Sequence, residues 1–348
     1  MKNLSTALTA VLLLAAPLAG IAQNPHKLQP NEHALNLPGA TTIDAPPAGF
    51  DPIAASDEEL QYHGFAPRPN QATEPKAYAT WVKAMQHSKV RMVPTLEQTT
   101  IFHGPAKPQK LANPTAVESN AALSLQPSNT YYSGNWSGYV DFSGASSYGS
   151  TSFYYIVNDM VIPIAKQGGC DGGWDWGSEW NGIDGWGSGD VLQAGVEFDA
   201  YCAGTTKSSY YSAWYEWYPY GEVRISSLPV TAGDDLFVEV WHTSSTQGYA
   251  YLVNYSTGQY VEVGFTAYPG HALIGNSAEW VVERPSVGGT LATLTDYTMI
   301  PFWDAYAYTE AYAFYDIANG NPVDMEVGTT VVSYPEYLGP EAFVAHYY

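Results

Sequence analysis

The sequence predicts an antiparallel all-β sandwich of two sheets, preceded by a small, partly helical segment. Three observations lead there. From about residue 129 the chain is a series of four- to eight-residue runs rich in Tyr, Val, Thr and Trp, separated by Gly, Asn and Ser-Thr-Gly breaks. Helix-period patterning is almost absent from that half. Residues 24–125 follow another grammar, rich in Pro, Ala and Asn with two short helical signals.

Taken in order, Met1 and Lys2 give a short positive start, residues 8–19 an apolar stretch, and Gly20-Ile21-Ala22 small residues at a cleavage-like position. That layout predicts a secretory signal peptide over residues 1–22 and an extracellular product. The apolar stretch is too short for a membrane span and no comparable run follows, so no membrane attachment is expected after its removal. Residues 24–55 read as extended chain. Ser56-Asp57-Glu58-Glu59 is a capping box opening a short helix. Tyr78, Trp81, Val82 and Met85 form one apolar stripe on a helix over 74–87. Residues 104–128 return to Pro, Asn and Ser, a linker. The β domain, 126–348, contains strand patterns at 153–157, 191–198, 212–218, 236–242, 249–255, 260–266 and 279–283. The 249–255 and 260–266 runs flank Ser-Thr-Gly-Gln and predict a hairpin.

Charge divides at the same place. Residues 24–120 hold 8 Lys+Arg and 9 Asp+Glu (8 − 9 = −1), whereas residues 121–348 hold 4 and 25 (4 − 25 = −21). So acidic a surface excludes nucleic acid as a partner. With only Lys166, Lys207, Arg224 and Arg284 in that half, protonation of the carboxylates generates little net positive charge, and acid unfolding by cationic repulsion is weak. Cys170 and Cys202 can form one disulfide in an exported protein. The eight histidines lack paired metal-ligand spacing, so no metal is expected. Asn135-Trp136-Ser137 and Asn254-Tyr255-Ser256 are sequons that matter only in a eukaryotic secretory route. Nothing suggests more than a monomer.

Three runs carry polar groups where a sheet ordinarily buries apolar ones. Period-2 geometry puts Gln193, Gly195 and Glu197 on one face, with the glycine leaving space above the sheet. It likewise groups Trp214, Glu216 and Tyr218, and Glu279, Val281 and Glu283. If these faces line one cleft, carboxylates and an amide converge between aromatic walls, and crowding raises some of the carboxyl pKa values. That suits acid–base chemistry at low pH. Spacing alone does not select Glu279 over Glu216 or Glu283.

Five strings in order resemble the glutamic peptidases, the eqolisin family: Asn135-Trp136-Ser137-Gly138; Trp180-Asn181-Gly182-Ile183-Asp184-Gly185; Leu192-Gln193-Ala194-Gly195-Val196-Glu197; Ala213-Trp214-Tyr215-Glu216-Trp217-Tyr218-Pro219; and Asn276-Ser277-Ala278-Glu279-Trp280-Val281-Val282-Glu283. The resemblance covers about residues 131–300. It implies a concanavalin A-like sandwich, a catalytic pair Gln193 and Glu279, supporting residues Trp136, Trp180, Asp184, Glu197, Trp214 and Glu216, no cofactor, and protein or peptide substrates. It also implies that residues 23–125 are a propeptide that inhibits its own enzyme until acid removes it. Three features depart from the family pattern: the Gly/Trp/Asp-rich stretch 168–180, Glu197 where Asp is expected, and the aromatic tail after 301. The competing readings are a glycoside hydrolase or a carbohydrate-binding protein on the same fold. A Glu279–Glu283 pair suits the hydrolase poorly, because residues four apart on a strand are about 13 Å apart, beyond the roughly 6.5–9.5 Å used by inverting enzymes.

Overall fold

The structure, a computed structural model, describes residues 31–109 and 130–348. The expected signal peptide and the 125/126 boundary lie outside the described residues. Two antiparallel layers form the body. One runs Thr206–Tyr218, Val191–Ala203, Ser178–Ile183, Ser277–Glu283, Trp136–Phe142 and Asn321–Val327. The other runs Gln259–Thr266, Gln247–Asn254, Asp235–Ser244, Phe153–Val161 and Ile300–Thr309. Ala342–Tyr347 pairs with both Thr330–Gly339 and Ile300–Thr309 and so joins the layers at one side. The aromatic tail, which the family strings did not reach, therefore completes both sheets.

Alternation along each strand decides what is buried between the layers. Leu192, Ala194, Val196 and Phe198 point inward from the first, with Trp217, Trp280 and Val282; Leu236, Val238, Val240, Leu252 and Val261 meet them from the second. The opposite parity of the first layer, Gln193, Gly195 and Glu197, faces away from this core. The predicted hairpin is present, Gln247–Asn254 against Gln259–Thr266.

The segment 31–109 packs on both outer faces of the sandwich. Residues 24–55, read as plain extended chain, contain a small antiparallel pair, Glu32–Ala34 with Thr41–Ile43. Helix α1, Asp57–Tyr62, opens with the expected capping box: Ser56 Oγ accepts from Glu59 N–H, and Glu59 Oε2 from Ser56 N–H at 2.8 Å. Helix α2, Pro75–His87, buries Ala77, Thr80, Trp81, Ala84 and Met85. Its inner face is thus rotated from the predicted stripe: Tyr78 and Val82 are only partly covered, because alanines allow the helix to approach the sheet closely. Beneath it lie Tyr155, Val157, Phe237, Tyr251, Val253 and Tyr306, the outward parity of the second layer. On that face half-exposed Lys83 pairs with buried Asp159, and Arg91 with buried Glu262 at 2.8 Å. Within the stretch 168–180, Asp171–Asp175 forms an edge strand beside Val191–Ala203, where the Cys170–Cys202 disulfide holds it, and the last three residues open the inner strand Ser178–Ile183.

Candidate active site

The outward face of the first layer carries the candidate site. Three strands build its centre. Gly182 pairs with Gln193 on one side and with Glu279 on the other, and Gln193 pairs in turn with Glu216. Gln193 and Glu279 therefore flank one glycine, their backbones about 10 Å apart, two strand spacings of about 4.8 Å each. A Cβ on Gly182 would lie 2.9 Å from Gln193 Cβ and 2.9 Å from the Leu192 carbonyl. Gly182→Ala is accordingly expected to splay the pair, lowering stability by about 1–3 kcal/mol and peptide hydrolysis with it; thermal unfolding and turnover of the purified variant measure both. Gly195 has a different role from the one its sequence position suggests. The space above it is taken by Trp180, whose backbone and Cβ would stand under 3 Å from an added Cβ.

Walls of tryptophan surround this row. Trp136 meets Trp180 edge-on at 5.0 Å between ring centroids, and Val140, Val191, Trp214 and Val281 complete an apolar cluster. Trp180 Nε1 donates to Glu283 Oε2 at 3.0 Å. Gln193, Glu197, Glu216, Glu222, Glu279 and Glu283 are all fully buried. Neither carboxylate oxygen of Glu279 has a hydrogen-bond partner of normal geometry. Burial drives its pKa well above the usual range, an effect that Ser277 and the Trp186 amide oppose. A buried carboxyl with unused acceptor capacity in a cleft is a candidate for proton transfer.

Asp184 sits behind the site. Its Oδ2 accepts from Ile274 N–H at 2.7 Å and Gly275 N–H at 3.0 Å, and Oδ1 from Asn276 N–H at 2.8 Å. It thereby anchors the turn that leads into the Glu279 strand, and its own backbone adopts φ 70° to do so.

What buries the site is the chain itself. Residues 96–109 cross the cleft as a strap. Leu96–Gln98 pairs with Val223–Ile225, Ile101–Phe102 with Ser286–Val287, and Gln109 N–H donates to the Tyr132 carbonyl at 2.8 Å. At the centre, His103 N–H donates to Glu216 Oε2 at 2.8 Å, and the Gln193 side-chain amide donates to the His103 carbonyl. The imidazole stacks on Trp214 at 3.9 Å and 11°. Its Nε2 lies 3.0 Å from Glu197 and 3.1 Å from Glu222, and its Nδ1 3.6 Å from Glu283. Burial alone would lower the His103 pKa, but the carboxylates of Glu197, Glu222 and Glu283 around the ring raise it well above 6.5. Burial raises Glu197, Glu283 and Glu216, the last to about 8. Glu222 is also raised by burial, but the His103 hydrogen bond and charge, together with Glu197 and Arg224, bring it below 4.5.

Asn135 of the first sequon is buried here. It donates to the Gly104 and Pro105 carbonyls and to Glu283, so it holds the strap rather than a glycan. Among the described residues, His103, Glu197 and Glu222 also bring three ligand atoms within 4.8 Å of one another, a spacing a divalent ion could use. Histidine spacing in the sequence could not reveal this, since the three lie on separate elements. His103 and Glu222 carried no signal of their own.

The signature described as the Peptidase A4 family matches residues 134–347. Aspergillopepsin-2 of Aspergillus niger is 29% identical over 234 residues, 63% of this chain and 79% of that protein. Scytalidopepsin B of Scytalidium lignicola is 39% identical over 146 residues, 41% of this chain and 51% of that protein. Among solved structures, scytalido-glutamic peptidase with a transition state analog inhibitor superposes with a TM-score of 0.52 at 25% identity, over 62% of this chain and 98% of that one. The match reaches past the five strings into the tail, and the glycosidase and sugar-binding readings fall away. The chain belongs to the peptidase A4 family, the eqolisins, and is a glutamic-type endopeptidase.

Proposed function

We propose that the chain is a secreted acid endopeptidase made as a zymogen, with Gln193 and Glu279 as its catalytic pair and its own residues 96–109 as the inhibitor. The observation that carries this reading is the meeting of the His103 carbonyl with the Gln193 amide inside the tryptophan-walled cleft. A backbone carbonyl there lies where a substrate carbonyl would lie.

In the open enzyme, Glu279 holds a water and takes its proton as the water attacks the scissile carbonyl. The Gln193 amide donates to the oxygen as negative charge develops on it. An amide keeps this ability in acid because it does not titrate. Glu279 then returns the proton to the leaving amine. Burial in the closed chain raises the Glu279 pKa, which disfavours the carboxylate form that a general base needs. Trp136, Trp180 and Trp214 wall the groove, and Asp184 positions the Glu279 strand. No step needs a metal or organic cofactor.

The strap should be held most firmly at intermediate pH. The His103 pKa is raised, so the imidazolium's contribution is complete below about 6.5 and is lost as pH rises through the raised value. Glu222 is depressed, so its contribution is complete above about 4.5 and is lost as pH falls through the lowered value. Glu197, Glu216 and Glu283, raised by burial, weaken the closed state as pH rises. Acid therefore opens the strap through Glu222, and Glu222→Gln is expected to open at a higher pH than wild type.

The full chain, shifted from neutral pH to about pH 4, near the reference glutamate pKa, and followed by mass spectrometry with a denatured protein present, tests the reading. Wild type is expected to lose its N-terminal segment and cut the substrate. An intact chain and an intact substrate across the acid range would refute it.

A further inference from the structure

His103 does more than obstruct the cleft; it occupies a recess with a marked chemical character. Its backbone is gripped from both sides by two residues that are partners in register, Glu216 accepting from its N–H and Gln193 donating to its carbonyl. Its side chain lies flat on Trp214 and points at Glu197, Glu222 and Glu283. Asp199, next on the same face as Glu197, is buried as well. Among the described residues, the surrounding elements supply one cation against these carboxyls, Arg224. It is already committed to Glu222 at 3.0 Å and lies over the Tyr210 ring at 4.7 Å. Once the strap leaves, the recess retains buried acids, a flat indole face and no cation of its own to complete it.

Resting on the peptidase reading above, the geometry points to this recess as a specificity pocket for a planar cationic side chain, protonated His or Arg, on the substrate residue whose carbonyl Gln193 receives. Cleavage then falls on the carboxyl side of that residue. Stacking on an indole favours a flat cation over the compact ammonium of Lys. In acid a peptide His is charged, its reference pKa being about 6.5, so both candidates reach the pocket as cations. A neutral side chain of similar size would restore none of the ion pairing that Glu197 and Glu222 have with His103 in the closed chain. An acidic side chain would add repulsion.

The experiment uses the full chain opened at about pH 4 and then assayed at about pH 5.5, between the reference glutamate and histidine values, so that Glu222 and a peptide His are both ionised; the peptides are identical except at one position, occupied by His, Arg, Lys, Gln, Leu, Phe or Glu, with cut sites and kcat/KM read by mass spectrometry. His and Arg peptides are expected to exceed the Gln peptide by about tenfold or more, in line with a desolvated cation–aromatic and charge pairing, and Glu peptides to be the poorest. Glu222→Gln is expected to reduce the His/Leu and Arg/Leu ratios by several-fold more than it changes the Leu peptide itself. Cleavage with Leu or Phe equal to or above His and Arg would overturn the pocket assignment while leaving the peptidase reading intact. Failure to cut any peptide would overturn both. Loss of the His and Arg preference on adding a chelator would point to a bound ion bridging Glu197 and Glu222, and would also overturn the assignment.

Discussion

Glu279→Gln is expected to lower peptide hydrolysis by about 10⁴, the upper end of what a general base contributes, across the whole acid range. The loss is large because one group serves twice, taking the water's proton and returning it to the amine. Glutamine matches the shape of glutamate and can hold a water, but it can neither accept nor deliver that proton. Stability should move the other way. In the folded closed chain burial raises the Glu279 pKa well above the usual glutamate range. The native state therefore binds the proton more tightly than the unfolded chain, and this contribution falls away as pH rises past about 4.5. Gln removes that penalty, so the variant is expected to melt at the wild-type temperature or above it at neutral pH. Turnover with a quenched-fluorescent peptide and a melting curve on the same sample separate lost chemistry from lost folding. Wild-type turnover in the variant would remove Glu279 from the mechanism.

Gln193→Ala is expected to lower kcat by about 10²–10³, the usual cost of deleting one oxyanion donor, with a smaller change in KM. The amide donates to the His103 carbonyl in the closed chain. In the open enzyme the same hydrogen bond strengthens as the substrate oxygen gains charge, which is why the loss appears mainly in kcat. The variant also deletes one of the two grips on the strap backbone. Its N-terminal segment is therefore expected to detach at a higher pH than that of wild type, which limited proteolysis across a pH series would reveal. A change confined to KM would mean that Gln193 binds substrate without stabilising the transition state.

Much of the candidate site's layout was legible along the chain because strands alternate. Gln193, Gly195 and Glu197, and Glu279, Val281 and Glu283, share faces as the period of two requires, and the register then sets Gln193 against Glu216. The capping box at Ser56 and the helix over 75–87 were legible for the same reason, being patterns local to a few residues. Errors arose where packing intervened. The alanine face of α2 was misjudged because the stripe counted large residues, whereas close approach to a sheet favours small ones. Gly195 read as open space because nothing local indicates that Trp180 presses against it.

By itself the sequence determined the class of fold, through β-alternation and turn residues over some 220 positions, and the family, through five ordered strings. It also set the chemical inventory of the site: amide, carboxylates and indoles on known strands. Tertiary structure alone decided which strands lie side by side, and so that Gln193 and Glu279 flank Gly182. It alone brought His103, 90 residues before Gln193, into a pocket with Glu197, Glu222 and Glu283. The physical reason is that alternation is a property of neighbours along one strand, whereas strand order and the path of the strap depend on burying apolar surface across the whole molecule.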